Sequence, residues 1–140
     1  MAEETLVKEV LSREMIEAGR ELARAMRERQ VELSACFWLY SAERNEWQLT
    51  LALPLVDTQG PLKAYEIVQS ILRPLEPVHT QSHPFRSRLQ LSDVSVLGAT
   101  RPLVRSIQDT PLDEDGARFR GRLGDSFFDD IYVYNLDRIG

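Results

Sequence analysis

The sequence predicts a single α/β domain of the α+β kind, with the element order αββαβαββ and a five-stranded mixed sheet against which the helices pack. Three observations favour this class. Apolar residues recur every three or four positions in the first part of the chain and every second position in several later segments. Short turns rich in Gly, Pro and Asp separate these segments. The length of 140 residues is typical of one domain, and no repeat or linker divides it. We therefore expect a single domain over 1–140, with an N-terminal helical segment at about 3–29 and the sheet and remaining helices at 33–137.

Either one long helix, or a short helix followed by a longer one at Arg13–Arg29, is predicted between Leu6 and Arg29, because apolar residues line one side of the segment. Ser12 is a candidate N-cap for a helix that begins at Arg13, with Glu14 in its first turn. The stripe consists of Leu6, Val10, Leu11, Met15, Ala18, Leu22 and Met26. The opposite side carries charges of both signs, which favours a helix packed on a core. Pairing of this helix with its copy in a dimer is left open.

The first two strands are predicted to form an antiparallel hairpin. Leu33–Tyr40 is apolar or aromatic on both faces, which is typical of a central strand covered on both sides. Trp47–Leu53 alternates between apolar and polar residues, as a half-buried strand does. The short polar turn Ala42–Glu46 joins them. Pro54 is expected to close the second strand, because proline has no N–H to give to the ladder.

The remaining elements follow from turn residues and proline positions. Proline is favoured at the first position of a helix, and a two-residue loop that contains glycine is typical of a hairpin turn. In chain order we expect a helix at Pro61–Leu72 ended by Pro74 and Pro77, a loop at Glu76–Pro84, a strand at about Leu89–Leu97, a short helix at Pro102–Gln108 capped by Thr100, an acidic turn at Asp109–Gly116, and strands at Ala117–Leu123 and Phe127–Leu136 around a Gly124–Asp125 turn.

Composition excludes several classes of protein. The net charge of −5 disfavours wholesale binding to nucleic acid or to an anionic membrane. No apolar run approaches the roughly 20 residues that span a bilayer. The first ten residues are acidic and amphipathic, unlike a secretory signal. Cys36 is the single cysteine and has no internal disulfide partner, so we expect a reducing, cytoplasmic setting.

The strand–helix–strand order predicts a candidate anion site. If both crossovers are right-handed, the second, third and fourth strands run parallel and their carboxyl ends share one edge. That edge would collect Leu55–Gln59, Gly98–Arg101 and Gly124–Asp125. Thr100, Arg101 and Arg105 would there cradle a phosphate or carboxylate. The alternative is that Thr100 only caps a helix and the two arginines are solvated.

An arginine row predicts a second candidate site. Arg118, Arg120 and Arg122 are two residues apart, so an unbroken strand places them on one face. Such a row can hold a nucleic-acid backbone, although aromatic residues usually accompany it, and Phe119 should face the other way. The alternatives are a solvated face, or pairing across the hairpin with Asp125, Asp129 and Asp130.

No catalytic or metal-binding set is found in the sequence. His79 and His83 are four apart but lie between Pro77 and Pro84, where no helix is expected to set their spacing, and two histidines are a poor ligand set for zinc. Cys36 lies within an apolar strand, where a thiol is inert. Asp113–Gly116 lacks most positions of a calcium loop. We therefore expect no metal, no cofactor and no enzymatic activity.

These observations favour a small non-catalytic interaction or accessory protein, acting through homo-oligomerisation or within a larger assembly. Its partner would be another protein or a second copy, and not a membrane. Trp and Tyr are favoured interface anchors, and the candidates here are Trp38, Tyr40, Tyr132 and Tyr134. The first alternative is an α/β domain that binds a phosphate or carboxylate, either as a pure binding domain or as a weak enzyme. The second alternative is a protein that binds a nucleic-acid backbone through the arginine row.

Overall fold

The computed structural model describes residues 10–75, 89–124 and 126–139. It confirms an α+β domain built on one five-stranded mixed sheet. The elements are α1 (Arg13–Glu28), β1 (Ala35–Ser41), β2 (Glu46–Leu53), α2 (Pro54–Gln59), α3 (Pro61–Leu75), β3 (Val94–Gly98), α4 (Pro102–Gln108), β4 (Gly116–Leu123) and β5 (Ser126–Tyr134), with short 3-10 turns at Leu91–Asp93 and Leu136–Arg138.

The helix α1 begins where its cap residue predicts. The Ser12 hydroxyl accepts a hydrogen bond from the backbone N–H of Met15 at 3.1 Å, and Glu14 stands in the first turn. The cap satisfies an N–H group that the helix itself leaves without a partner. Ala18, Leu22 and Met26 are buried. The amphipathic pattern therefore packs against the domain's own core.

The strands lie in the order β3-β2-β1-β5-β4. The β1–β2 hairpin is antiparallel, as predicted, and its register runs from Ala35 opposite Ala52 to Ser41 opposite Glu46. The strands β2 and β3 are adjacent and parallel, as the first crossover predicts. The strand β1 is central, with β2 on one side and β5 on the other.

The expectation that the fourth strand runs parallel to the second and third is wrong. The strand β4 pairs with β5, β5 with β1 and β1 with β2, each time antiparallel, so β4 runs opposite to β2 and β3. The chain passes through α4 to the far edge of the sheet, and the tight turn after Leu123 brings β5 back between β4 and β1. The crossover rule applies only when both strands are parallel.

Helices cover both faces of the sheet. On one face, α1 and α3 enclose a core that includes Leu49 and Leu51 of β2 and Val68 of α3. On the other face, the short helix α4 packs Val104 and Ile107 against strand residues that include Phe37, Ile131 and Val133. The two-sided apolar pattern of β1 is explained by this double cover.

Several predicted boundaries move, and three of these changes bear on how the elements begin and end. Pro54 ends β2 but also begins α2, since proline is well suited to the first helical position. The helix α3 continues past Pro74 to Leu75. The third strand begins at Val94 and not at Leu89, because the 3-10 turn at Leu91–Asp93 precedes it.

A buried hydrogen-bonded pair ties α1 to the sheet. The Tyr134 hydroxyl donates to the backbone carbonyl of Ile16 at 2.6 Å and accepts from Trp38 Nε1 at 2.9 Å. Gly19 makes room for it, since a Cβ at this position would lie 2.3 Å from Tyr134 Oη. Trp38 and Tyr134 are each only 2% exposed. Both indole and phenol therefore have partners inside the core, as buried polar groups require.

Candidate interaction surface on the β4–β5 hairpin

The four aromatic residues proposed as interface anchors divide into two groups. Trp38 and Tyr134 are buried beneath α1, each only 2% exposed, and so present almost no surface to a partner. They belong to the core because α1 covers this face of the sheet. Tyr40 and Tyr132 are partly buried and pack against the same core. Only these two retain surface that a partner could reach.

At the proposed anion site, Thr100 binds one of the chain's own carboxylates. Asp57 of α2 accepts a hydrogen bond from the backbone N–H of Ala99 at 2.7 Å and one from the Thr100 hydroxyl at 3.3 Å. Thr100 is not the cap of α4. That position belongs to Arg101, whose side chain makes no capping hydrogen bond. Of the three residues expected to receive a ligand, Thr100 thus holds Asp57 instead, while Arg101 and Arg105 are exposed.

The predicted edge is only partly assembled. Leu55–Gln59 and Gly98–Arg101 do come together, through Asp57. Gly124 does not join them. It lies beside α4, where an added Cβ would be 2.4 Å from the Ser106 hydroxyl oxygen. The reversed direction of β4 explains this, since it carries the hairpin turn away from the carboxyl ends of β2 and β3.

The arginine row is built around a buried carboxylate. Arg118 binds both oxygens of Asp130 at 3.0 Å, through Nε and Nη2, and Arg120 Nε lies 3.3 Å from Oδ2. The Asp130 side chain is fully buried, whereas those of Arg118 and Arg120 are 42% and 71% exposed. The hydrogen bond with Asp130 raises the pKa of Arg118 above its usual value, against the opposing effect of desolvation. Two guanidinium groups thus share one negative charge.

A shift in strand register puts Asp130 in this place. Phe119 lies opposite Ile131, but Gly121 lies opposite Phe128, so β5 contributes one extra residue between these pairs. Gly121 has φ +89°, a value that side chains disfavour. An irregularity of this kind turns a side chain to the other face of a strand. It brings Asp130 beneath the arginines and leaves Asp129 exposed.

Aromatic rings flank the row at both ends. The guanidinium carbon of Arg118 lies 5.2 Å from the centre of the buried Trp47 ring. That of Arg122 lies 5.7 Å from the ring of Phe127, the residue opposite it in β5. Phe127 is 77% exposed, which is unusual for so large an apolar side chain. Both are cation–π contacts, which are attractive because the face of an aromatic ring is electron-rich.

Each arginine of the row is held through its Nε atom. Arg118 and Arg120 direct Nε to Asp130, and Arg122 Nε donates to the backbone carbonyl of Gly124 at 2.7 Å. The contacts of Arg120 with Asp130 and of Arg122 with Gly124 are both made through Nε. Fixing the side chain in this way lowers the entropy lost when a ligand binds. The arrangement is suited to receiving carboxylate or phosphate oxygens.

An open cleft adjoins the hairpin. Pairing of β1 with β5 runs only from Phe37–Val133 to Leu39–Ile131. Beyond it the strands part, and a cleft of about 530 Å³ opens between residues 39–41 of β1 and residues 127–129 of β5. Phe127 forms part of its wall. The hairpin therefore offers charge along β4 and apolar surface beside β5.

The other candidates do not form a site in the described residues. His79 and His83 lie outside these residues. Burial raises the pKa of the Cys36 thiol far above its usual range, so the thiolate nucleophile is disfavoured. Asp113, Glu114 and Asp115 are exposed. Among the residues that the structure describes, no three His, Cys, Asp or Glu side chains are grouped as a metal site would need, and no helix has the length and apolar character to cross a membrane.

Comparison of this chain with protein families, with curated proteins and with solved structures finds no match.

Proposed function

We propose that this protein is a non-catalytic interaction protein that binds a protein partner through the β4–β5 hairpin. The observation that carries the proposal is the row of exposed, Nε-anchored arginines on β4, with the exposed Phe127 beside it. Interfaces concentrate their binding energy in arginine and aromatic residues. We call Arg118, Arg120, Arg122 and Phe127 the hairpin surface.

The charge of the hairpin surface favours carboxylate groups of a protein over a nucleic-acid backbone. Asp130 already neutralises one of the three positive charges. The whole chain carries −5, so a polyanion would meet repulsion outside this small area. A few carboxylates need only local complementarity. Phe127 adds apolar area of the kind found in the centre of protein interfaces.

Native mass spectrometry of the gently purified, tag-free protein tests this function. We expect a complex of the chain with another protein, heavier than the 16.1 kDa monomer. The double variant Arg120→Glu/Arg122→Glu should release the chain from the complex. The matched control is Arg101→Glu/Arg105→Glu, which makes the same charge change at two exposed arginines, one at the N-cap of α4 and one in its last turn. It should leave the complex intact.

Three results would contradict the proposal. The first is a wild-type chain that is monomeric under these conditions. The second is a complex that survives the hairpin variant but is lost in the α4 variant, which would indicate that the partner binds at the candidate anion site. The third is a co-purifying nucleic acid in place of a protein.

A further inference from the structure

Within residues 10–75, 89–124 and 126–139, the strand β4 forms an outer edge of the sheet. The inner side of this eight-residue strand is paired with β5 along its length, apart from the register shift. No other strand in the described residues pairs with its outer side. The strand at the opposite edge of the sheet, β3, differs because one of its N–H groups has a side-chain partner. The Val96 N–H donates a hydrogen bond to the Tyr65 hydroxyl at 3.3 Å. A row of free N–H and C=O groups is a template for an added strand.

The side chains of β4 specify what such a strand would carry. Arginines at alternate positions are spaced about 6.7 Å apart on one face, and a paired strand presents its own alternate side chains with the same spacing. Opposite charges directly across two strands stabilise the pairing. On the other face of β4 lie Gly121 and the half-buried Phe119. A Cβ added at Gly121 would have no other atom within 4 Å, so this face has open space. Apolar residues fit this side.

A second copy of the chain is a poor occupant of the edge. Two β4 strands that pair antiparallel about a two-fold axis keep equivalent faces together. The arginine row of one copy would then face the row of the other. Like charges directly opposite are destabilising, and charged edge strands are a known device against self-pairing.

We propose that the partner contributes an extended segment of alternating acidic and apolar residues, which adds to β4 as a sixth strand and sets its carboxylates against Arg118, Arg120 and Arg122. This inference rests on the proposed function and names the partner's chemistry. Main-chain hydrogen bonds to β4 supply affinity, and the arginine row selects the acidic sequence.

Synthetic peptides and the full chain test the inference. The probe is an eight-residue peptide in which glutamate and valine alternate. Its control has the same composition with the four glutamates in one block. Measured by fluorescence anisotropy, we expect the alternating peptide to bind about tenfold more tightly than the control. It should also slow amide hydrogen exchange at residues 117–122, while exchange in α3 stays unchanged.

A charge exchange separates recognition from a change in folding. Arg120→Glu/Arg122→Glu should weaken binding of the glutamate–valine peptide about tenfold and gain binding of an alternating lysine–valine peptide. A variant that had merely lost its structure would not gain the second peptide. The gain therefore supports strand addition with charge selection.

The contradicting results distinguish the two proposals. Equal binding of the alternating and blocked peptides, or no protection of β4 amides, overturns strand addition, while the native complex and its loss in the hairpin variant would still stand. Both proposals are overturned if oligouridylate binds more tightly than either peptide and this binding is lost in the charge variant.

Discussion

Replacing Tyr134 with phenylalanine tests the buried contact that joins α1 to the sheet. The substitution keeps the ring and removes the hydroxyl, which donates to the Ile16 carbonyl and accepts from Trp38 Nε1. Trp38 is 2% exposed, so its N–H would lose its partner with little access to water. An unsatisfied buried donor costs about 1–3 kcal/mol. The Ile16 carbonyl loses less, because an α-helix already supplies a carbonyl with an N–H from four residues ahead.

We therefore expect Tyr134→Phe to lower the free energy of unfolding by about 2 kcal/mol. Urea denaturation measures it, and the slope with denaturant should stay unchanged. In a double-mutant cycle with Trp38→Phe, the two losses should be less than additive by about 1 kcal/mol, since either change breaks the same hydrogen bond. Additive losses, or a Tyr134→Phe variant as stable as the wild type, would refute the reasoning.

Other predictions follow from the same structure. Gly19→Ala should destabilise the protein by about 1–2 kcal/mol in urea, although alanine favours helices by about 1 kcal/mol, because its Cβ displaces the Tyr134 hydroxyl. The loss should shrink in a Tyr134→Phe background, and an undiminished loss would contradict this cause. Asp130→Asn should cost about 1–3 kcal/mol by weakening the hold on both arginines. Arg120→Ala should cost under about 1 kcal/mol, since Arg120 is largely exposed, and the reverse order would contradict the assignment of Asp130 as the anchor. Burial raises the pKa of Cys36 from its usual 9.0 and that of Tyr134 from its usual 10.0, so above these values the unfolded chain loses its protons first. Stability should be independent of both groups below about pH 9, and should fall by about 1.4 kcal/mol per pH unit for Cys36 above about pH 9 and by the same slope for Tyr134 above about pH 10. Cys36→Ala should remove that part of the fall which begins near pH 9, and an unchanged pH profile would be inconsistent with a buried thiol.

Local patterns predict much of this fold. The Ser12 cap and the tight turn after Leu123 each depend on neighbouring residues, and each is confirmed. Trp47–Leu53 is a strand, as predicted, but the expectation that it is half-buried is wrong, because Thr50 and Ala52 on its other face are buried as well. The direction of β4 was mispredicted, because it depends on which edge the chain reaches after α4. That choice is made by packing between distant segments, and local periodicity does not encode it.

The candidate site is predicted only in part. The arginine row is visible in the sequence, and pairing with Asp130 was among the alternatives. Counting outward from the turn in an unshifted hairpin, however, places Arg120 opposite Asp129 and Phe119 opposite Asp130. The register shift moves Asp130 under the row. Gly121, between two arginines, was the available signal, since glycine within a strand often marks a bulge.

The sequence does not single out Phe127 as a site residue either. A phenylalanine in a strand is expected in the core, and the sequence does not tell that this ring stays exposed beside Arg122. The hydrogen bonds of Asp57 are likewise not predicted from the sequence. They join α2 to residues more than 40 positions later, so no short motif contains them.

The most direct test of the hairpin surface is photo-crosslinking in the cells that express the protein. A photoreactive amino acid replaces Phe127 in one variant and Leu62 of α3 in a matched control, two apolar side chains that are 77% and 72% exposed. We expect a discrete protein adduct from position 127, lost when Arg120→Glu is added, and none from position 62. An adduct from position 62 alone, or from neither position, would contradict the claim that the β4–β5 hairpin binds a protein partner.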